Sequence, residues 1–89
     1  MQYIRSNKAL VNKTINGYQV TAYKVTHGYN MWFYSMAILK DGKEVWNDSI
    51  SFDEQNRVFW SASASCQYPS ARKLVLDVAG HITNKLLTS

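Results

Sequence analysis

The sequence predicts an α+β fold: an antiparallel β-meander of four to five strands with one C-terminal α-helix packed on one face. Three observations carry that prediction. Runs rich in β-branched and aromatic residues succeed one another from Ala9 to Phe52. Two-residue turn signals, Asn16-Gly17, His27-Gly28 and Asp41-Gly42, separate those runs at hairpin spacing. After Ser70, apolar residues recur instead at three- and four-residue steps. The 89 residues suit a single domain, 1–89, and the 46% apolar and 18% charged fractions exclude a disordered chain.

The first strand is expected over about 9–15, where Ala9, Val11, Lys13 and Ile15 alternate with Leu10, Asn12 and Thr14; residues 1–8 show no period. Asn16-Gly17 follows at once, and both central residues of a type I′ turn need positive φ, which this dipeptide tolerates. A second strand, about 18–26, is marked by Tyr18, Val20, Thr21, Tyr23, Val25 and Thr26. The third, about 29–40, holds the most aromatic run of the chain. Trp32, Phe33 and Tyr34 are consecutive, so with a side-chain period of two they cannot share a face. Met31, Phe33, Ser35, Ala37 and Leu39 fall on one side, and Trp32, Tyr34, Met36 and Ile38 on the other. Both sides are apolar. Such a strand is covered twice, or it carries a surface that something else covers.

The fourth strand, about 43–52, sets Trp46, Asp48, Ile50 and Phe52 against Val45, Asn47, Ser49 and Ser51. Residues 53–66 admit two readings. A strand over about 57–65 puts Val58, Trp60, Ala62, Ala64 and Cys66 on one face; a helix would open on the capping box Ser51-Phe52-Asp53-Glu54. The alternating Ser61, Ser63 and Ser65 favour an edge strand, because serine inside a helix competes for its backbone hydrogen bonds. Pro69 ends that element. A helix over about 70–87 follows, with Ala71, Leu74, Val75, Val78, Ala79, Ile82 and Leu86 as its apolar stripe. Gly80 within it costs about 1 kcal/mol relative to alanine, which predicts a close approach to the sheet over Ala62 and Ala64.

The net charge of +4 is unevenly distributed. Residues 1–40 carry Arg5, Lys8, Lys13, Lys24 and Lys40 and no acid, a balance of +5; residues 41–60 carry five acids against Lys43 and Arg57, or −3. The molecule is expected to be electrically polarised. One cysteine, Cys66, cannot form an internal disulfide, and no apolar run is long enough to span a bilayer or to serve as an N-terminal secretory signal. A cytoplasmic protein with no membrane partner is the expectation.

No catalytic residue, cofactor or metal is predicted. Cys66, His27 and His81 lack the close spacing of metal ligands, and Cys66 with His81 is a weak nucleophile–base pair beside the simpler reading of Cys66 as a small hydrophobe under the helix. Asp48 is the one acid whose parity places it among apolar residues, where a hydrogen bond is expected to satisfy it. No glycine-rich phosphate loop occurs. Three Trp, six Tyr and three Phe exceed what one small core readily buries, and such residues dominate protein interfaces.

The expected function is therefore a small non-enzymatic protein-binding module with Trp32, Tyr34 and Tyr23 as anchors and Lys24 and Lys40 at the rim. If the helix covers the Trp32 side, Met31 and Phe33 face outward instead. Another protein is the expected partner, and a homodimer through a sheet edge or face is an additional possibility. Small size, a single cysteine and an aromatic sheet are general features of compact bacterial or phage accessory proteins, inhibitors among them. The alternative is a nucleic-acid-binding sheet, with lysines along the backbone and Trp32, Tyr34 or Tyr29 stacking on bases. Against it, residues 28–39 contain no Lys or Arg.

Overall fold

The computed structural model describes residues 3–28 and 31–88. Strands β1 (Ile4–Ile15), β2 (Tyr18–His27), β3 (Met31–Lys40), β4 (Lys43–Asp53) and β5 (Val58–Trp60) form one five-stranded sheet in chain order, each pair antiparallel. Helix α1 (Ala71–Thr88) packs on it, completing an α+β fold. At two hairpins the turn dipeptides do what their chemistry allows. Asn16 and Gly17 lie at φ 52° and 81°, Asp41 and Gly42 at 53° and 79°. The beginning expected for the third strand, residues 29 and 30, lies outside the described residues, as does Tyr29 as a stacking residue.

β1 begins at Ile4, well before residue 9, and the reason the earlier residues show no period is visible in its pairing. Its register with β2 shifts between Arg5 and Ala9 and again between Ala9 and Val11. The first passes over two extra residues of β1 and the second over one, which exchanges the faces between Ala9 and Val11, so a period-two pattern is lost although the strand continues. Leu10, passed over by the ladder at the second shift, has its carbonyl held at 3.0 Å by the Arg72 guanidinium of α1.

The helix covers the even-numbered side of the central strands. Val20, Ala22, Met36, Ile38 and Ile50 meet Leu74, Val75, Val78 and Ala79, all buried, with Val11 joining from β1. Burial contributes roughly 1.5–3 kcal/mol for each large aliphatic side chain. Ser70 caps the helix, its Oγ accepting the Lys73 N–H at 3.4 Å. Thr83, fully buried, donates to the Ala79 carbonyl at 2.7 Å and accepts from Asn16 Nδ2 at 3.0 Å. That pair fastens the first hairpin to the helix.

Three expectations are corrected here. The fifth strand ends at Trp60 rather than near 65, because the chain turns back so that Phe59 and Tyr68 exchange backbone hydrogen bonds at 2.7 and 2.9 Å. Residues 61–66 accordingly form neither strand nor helix, and Cys66 and Ala62 are exposed instead of lying under α1. A Cβ added at Gly80 would meet nothing within 4 Å, so this glycine marks no close approach to the sheet. Asp48 accepts from the backbone N–H of Ser49 at 2.8 Å and of Ser63 at 3.3 Å, which ties the 61–66 loop to β4. No helix among the described residues is long and apolar enough to cross a membrane.

Candidate protein-binding face

Strand pairing assigns every side chain of the central sheet to a face. Tyr23 pairs with Ser35 and Ser35 with Ser49, Thr21 with Ala37 and Ala37 with Asn47, and Val25 with Phe33. These odd-numbered residues lie opposite the helix, and among the described residues no element of secondary structure packs over them. β2 contributes Gln19, Thr21, Tyr23, Val25 and His27 to this open face; β3 contributes Met31, Phe33, Ser35, Ala37 and Leu39; β4 contributes Asn47, Ser49 and Ser51. None of these thirteen carries a formal charge with histidine neutral; charge enters at the end of the face, where Glu44 pairs with Leu39 and accepts from Asn47 Nδ2 at 3.4 Å.

The relief of the face is ordered across the strands. On β2 the half-buried Tyr23 stands beside a buried Val25, whereas the middle of β3 and the neighbouring part of β4 carry the small side chains Ser35, Ala37, Ser49 and Ser51. Exposed apolar groups stand at its margins: Tyr3 is 66% exposed, Met31 54% and Trp60 46%. Tyr3 leans on His27 and Phe33 with ring centroids 5.2 and 6.2 Å apart, and Arg5 lies 4.4 Å over the Tyr23 ring. Beyond the pair Tyr34–Ile50 the recorded ladder between β3 and β4 ends, and β4 continues with β5. A cleft of about 390 Å³ opens there between Met31, Phe33 and Trp32 on one side and Ser51 and Phe52 on the other, with His27 Nδ1 buried and unpartnered.

The five residues expected to bind a partner do not form one surface. Trp32, Tyr34 and Lys24 share the helix-side face; Tyr23 stands on the open face, because it pairs with Ser35, one residue away from Tyr34. Lys40 belongs to the far end of the helix side, 5.0 Å over the Tyr18 ring and bonded to the Gly17 carbonyl at 3.4 Å. Trp32 and Tyr34 are half-buried by other rings. Trp32 stacks on Phe52 at 5.8 Å and meets Tyr34 edge-on at 5.5 Å, and Phe59 closes the group 4.8 Å from Phe52. Lys24 sits 4.9 Å over Trp32 and Arg57 6.0 Å over Phe52. This cluster prolongs the core beyond the start of α1, with Tyr34 and Phe59 joining the two. What sequence reasoning missed was that the uncharged positions of three neighbouring strands adjoin in one face, a property of register that no single segment displays.

A second corner gathers the titratable groups considered for catalysis. The Tyr68 hydroxyl donates to Asp77, and that bond first, with one to Cys66 second, pushes the Tyr68 pKa above its ordinary value. His81 faces the same shallow depression of about 250 Å³ beside Ser63 and Ser65. Among the described residues no group of three or more His, Cys, Asp or Glu is placed to hold a metal ion. No protein-family model, curated protein or solved structure matches this chain.

Proposed function

We propose that this chain is a small non-enzymatic protein-binding module, a cytoplasmic accessory or inhibitory protein that acts by covering a partner surface with its open sheet face. One observation supports this most: three adjacent strands present a face with an uncharged centre over which, among the described residues, no helix or strand packs, with Tyr3, Met31 and Trp60 exposed at its margin. Depletion of charge at the centre with aromatic residues around it is the composition of protein interfaces. A nucleic-acid platform needs the reverse, cations interleaved with its rings. The test compares immobilised wild-type protein with Ser35→Lys and Lys24→Glu baits. A partner held by wild type and by Lys24→Glu but released by Ser35→Lys is the expected result; equal retention by all three overturns the proposal.

A second reading is supported by Lys24 over Trp32 and Arg57 over Phe52, an aromatic and basic group on the helix side. Fluorescence anisotropy of labelled single-stranded DNA and RNA at two salt concentrations tests it. Binding that weakens steeply with salt and is lost in Lys24→Glu would replace the protein-binding reading.

A further inference from the structure

We infer that the cleft between β3 and β4 receives an arginine side chain of the protein partner; this rests on the reading of the open sheet face as protein-binding. The cleft, of about 390 Å³, opens where the two strands part beyond the pair Tyr34–Ile50. Their register would go on to set Phe33 beside Ser51 and Trp32 beside Phe52, and no ladder pair joins them there. In a continuous sheet Phe33 and Trp32 are kept apart by the sheet itself. The parting brings rings from both sides to one cavity.

Its walls are apolar. Phe33 and Met31 come from the open side, and Trp32 and Phe52, stacked on each other at 5.8 Å, from the helix side. The volume is near the lower end of ligand pockets, ~300–1,000 Å³, and suits a single side chain.

The polar groups of the lining select which one. Ser49 and Ser51 bring hydroxyls and Glu54 a carboxylate, and among the described residues no Lys or Arg lines the cleft in a chain that carries ten of them. Glu54 supplies the one formal charge of this lining with histidine neutral. Among the described residues no protein group satisfies the two hydroxyls, the carboxylate or the buried Nδ1 of His27. The nearby cations are engaged elsewhere: Lys24 lies 4.9 Å over the Trp32 ring on the helix side, Arg57 6.0 Å over Phe52 and Arg5 4.4 Å over Tyr23.

Apolar walls with acceptors at the mouth match arginine in both halves of its side chain. The aliphatic stem lies along the rings, and the planar fork of N–H donors reaches a carboxylate and separate hydroxyls together. Lysine concentrates its donors at one point, a quaternary ammonium has none, and an anion is repelled by Glu54. Arginine is also the cation enriched at the buried anchors of protein interfaces. Because the cleft lies at the end of the row Val25–Phe33, a partner lying over Ser35 and Ser49 can fill it with one side chain.

Amide NMR of isotopically labelled protein titrated with N-acetyl-arginine amide tests this, with the lysine and leucine amides as comparisons. The arginine amide is expected to shift the Trp32 indole N–H and the Phe33, Ser51 and Glu54 amides saturably, the lysine amide to bind several-fold more weakly and the leucine amide to leave them unmoved. Glu54→Gln, a change at an exposed position, should weaken the arginine amide by about fivefold and leave the rest of the spectrum in place. A Glu54→Lys bait should release the partner that wild type holds. No saturable shift at these positions, a lysine amide that binds equally well, an arginine amide indifferent to Glu54→Gln, or a partner kept by Glu54→Lys overturns the inference. The Ser35→Lys bait separates it from the reading beneath it. A partner released by Ser35→Lys while the arginine amide fails to bind removes the cleft and leaves the protein-binding face standing. An arginine amide that binds while Ser35→Lys retains the partner removes that face, and with it the partner as the source of the arginine.

Discussion

The two sides of β3 begin from similar residues and end in different environments. Its even side, Trp32 to Ile38, is closed by α1 over Met36 and Ile38 and by a four-ring cluster over Trp32 and Tyr34; its odd side, Met31 to Leu39, has no helix or strand over it among the described residues and is met at one end by the Tyr3 and His27 rings on Phe33. The difference teaches that apolar content alone does not select the core. What separates the sides is the neighbouring strands: the even side is continued by Val20, Ala22 and Ile50, which are fully buried, and the odd side by Thr21, Tyr23, Ser49 and Ser51, with a buried Val25 beside Phe33 at one end. Apolar side chains interdigitate with a helix, whereas hydroxyl-bearing ones tolerate water.

The comparison breaks most readily at Met36. Met36→Ala removes a side chain with no exposed surface and is expected to cost about 2–5 kcal/mol in a denaturant titration. Ser35→Ala on the opposite side should stay within about 0.5 kcal/mol. Equal losses would mean that both sides are core in solution. Trp32→Ala comes next. As a half-buried member of the ring cluster it is expected to lower stability by about 2 kcal/mol. A variant that loses binding yet melts as wild type would return Trp32 to the role of an exposed anchor and favour the helix-side surface.

Smaller effects sharpen the contrast. Gly80→Ala places a methyl group into open space on the covering helix and should raise stability by about 0.5–1 kcal/mol in thermal melts. A loss would show a close approach to the sheet after all. The smallest effect belongs to Asp53, at the acidic margin of the open face. The Asn56 side-chain N–H at 2.8 Å, then the Asn56 and Gln55 backbone N–H groups, hold its carboxyl below the usual 3.8. A carboxyl with a lowered pKa contributes fully above its unfolded value and loses that contribution as pH falls through the lowered one. The protection of the Gln55 and Asn56 amides, their exchange relative to the intrinsic rate at each pH, should thus be flat above about pH 4 and fall below it. Protection that is unchanged on acidification, or an Asp53→Asn variant that keeps the same profile, would remove the carboxylate from the turn.

Much of the fold was legible because its determinants are local. Asn16-Gly17 and Asp41-Gly42 accept positive φ whatever surrounds them, and the stripe from Ala71 to Leu86 requires a helix to bring its members to one side. Residues 4–8 and 61–66 were illegible for the opposite reason. Two register shifts scramble the first, and the second follows a long-range exchange between Phe59 and Tyr68 and a bond from Ser63 to Asp48. Cys66 could not be located from composition, since a small apolar residue fits a core or a loop equally well and only the path of the chain chose.

The sequence by itself determined the meander, its helix, the two-sided apolar character of β3 and the separation of basic from acidic segments, because hairpins and helices are set by neighbours a few residues apart. Tertiary structure alone decided which side of β3 the helix covers, that Tyr23 and Trp32 face opposite ways, and that thirteen uncharged positions from three strands merge into one face. Those properties depend on register between strands, where a slip of one residue exchanges every inside for an outside.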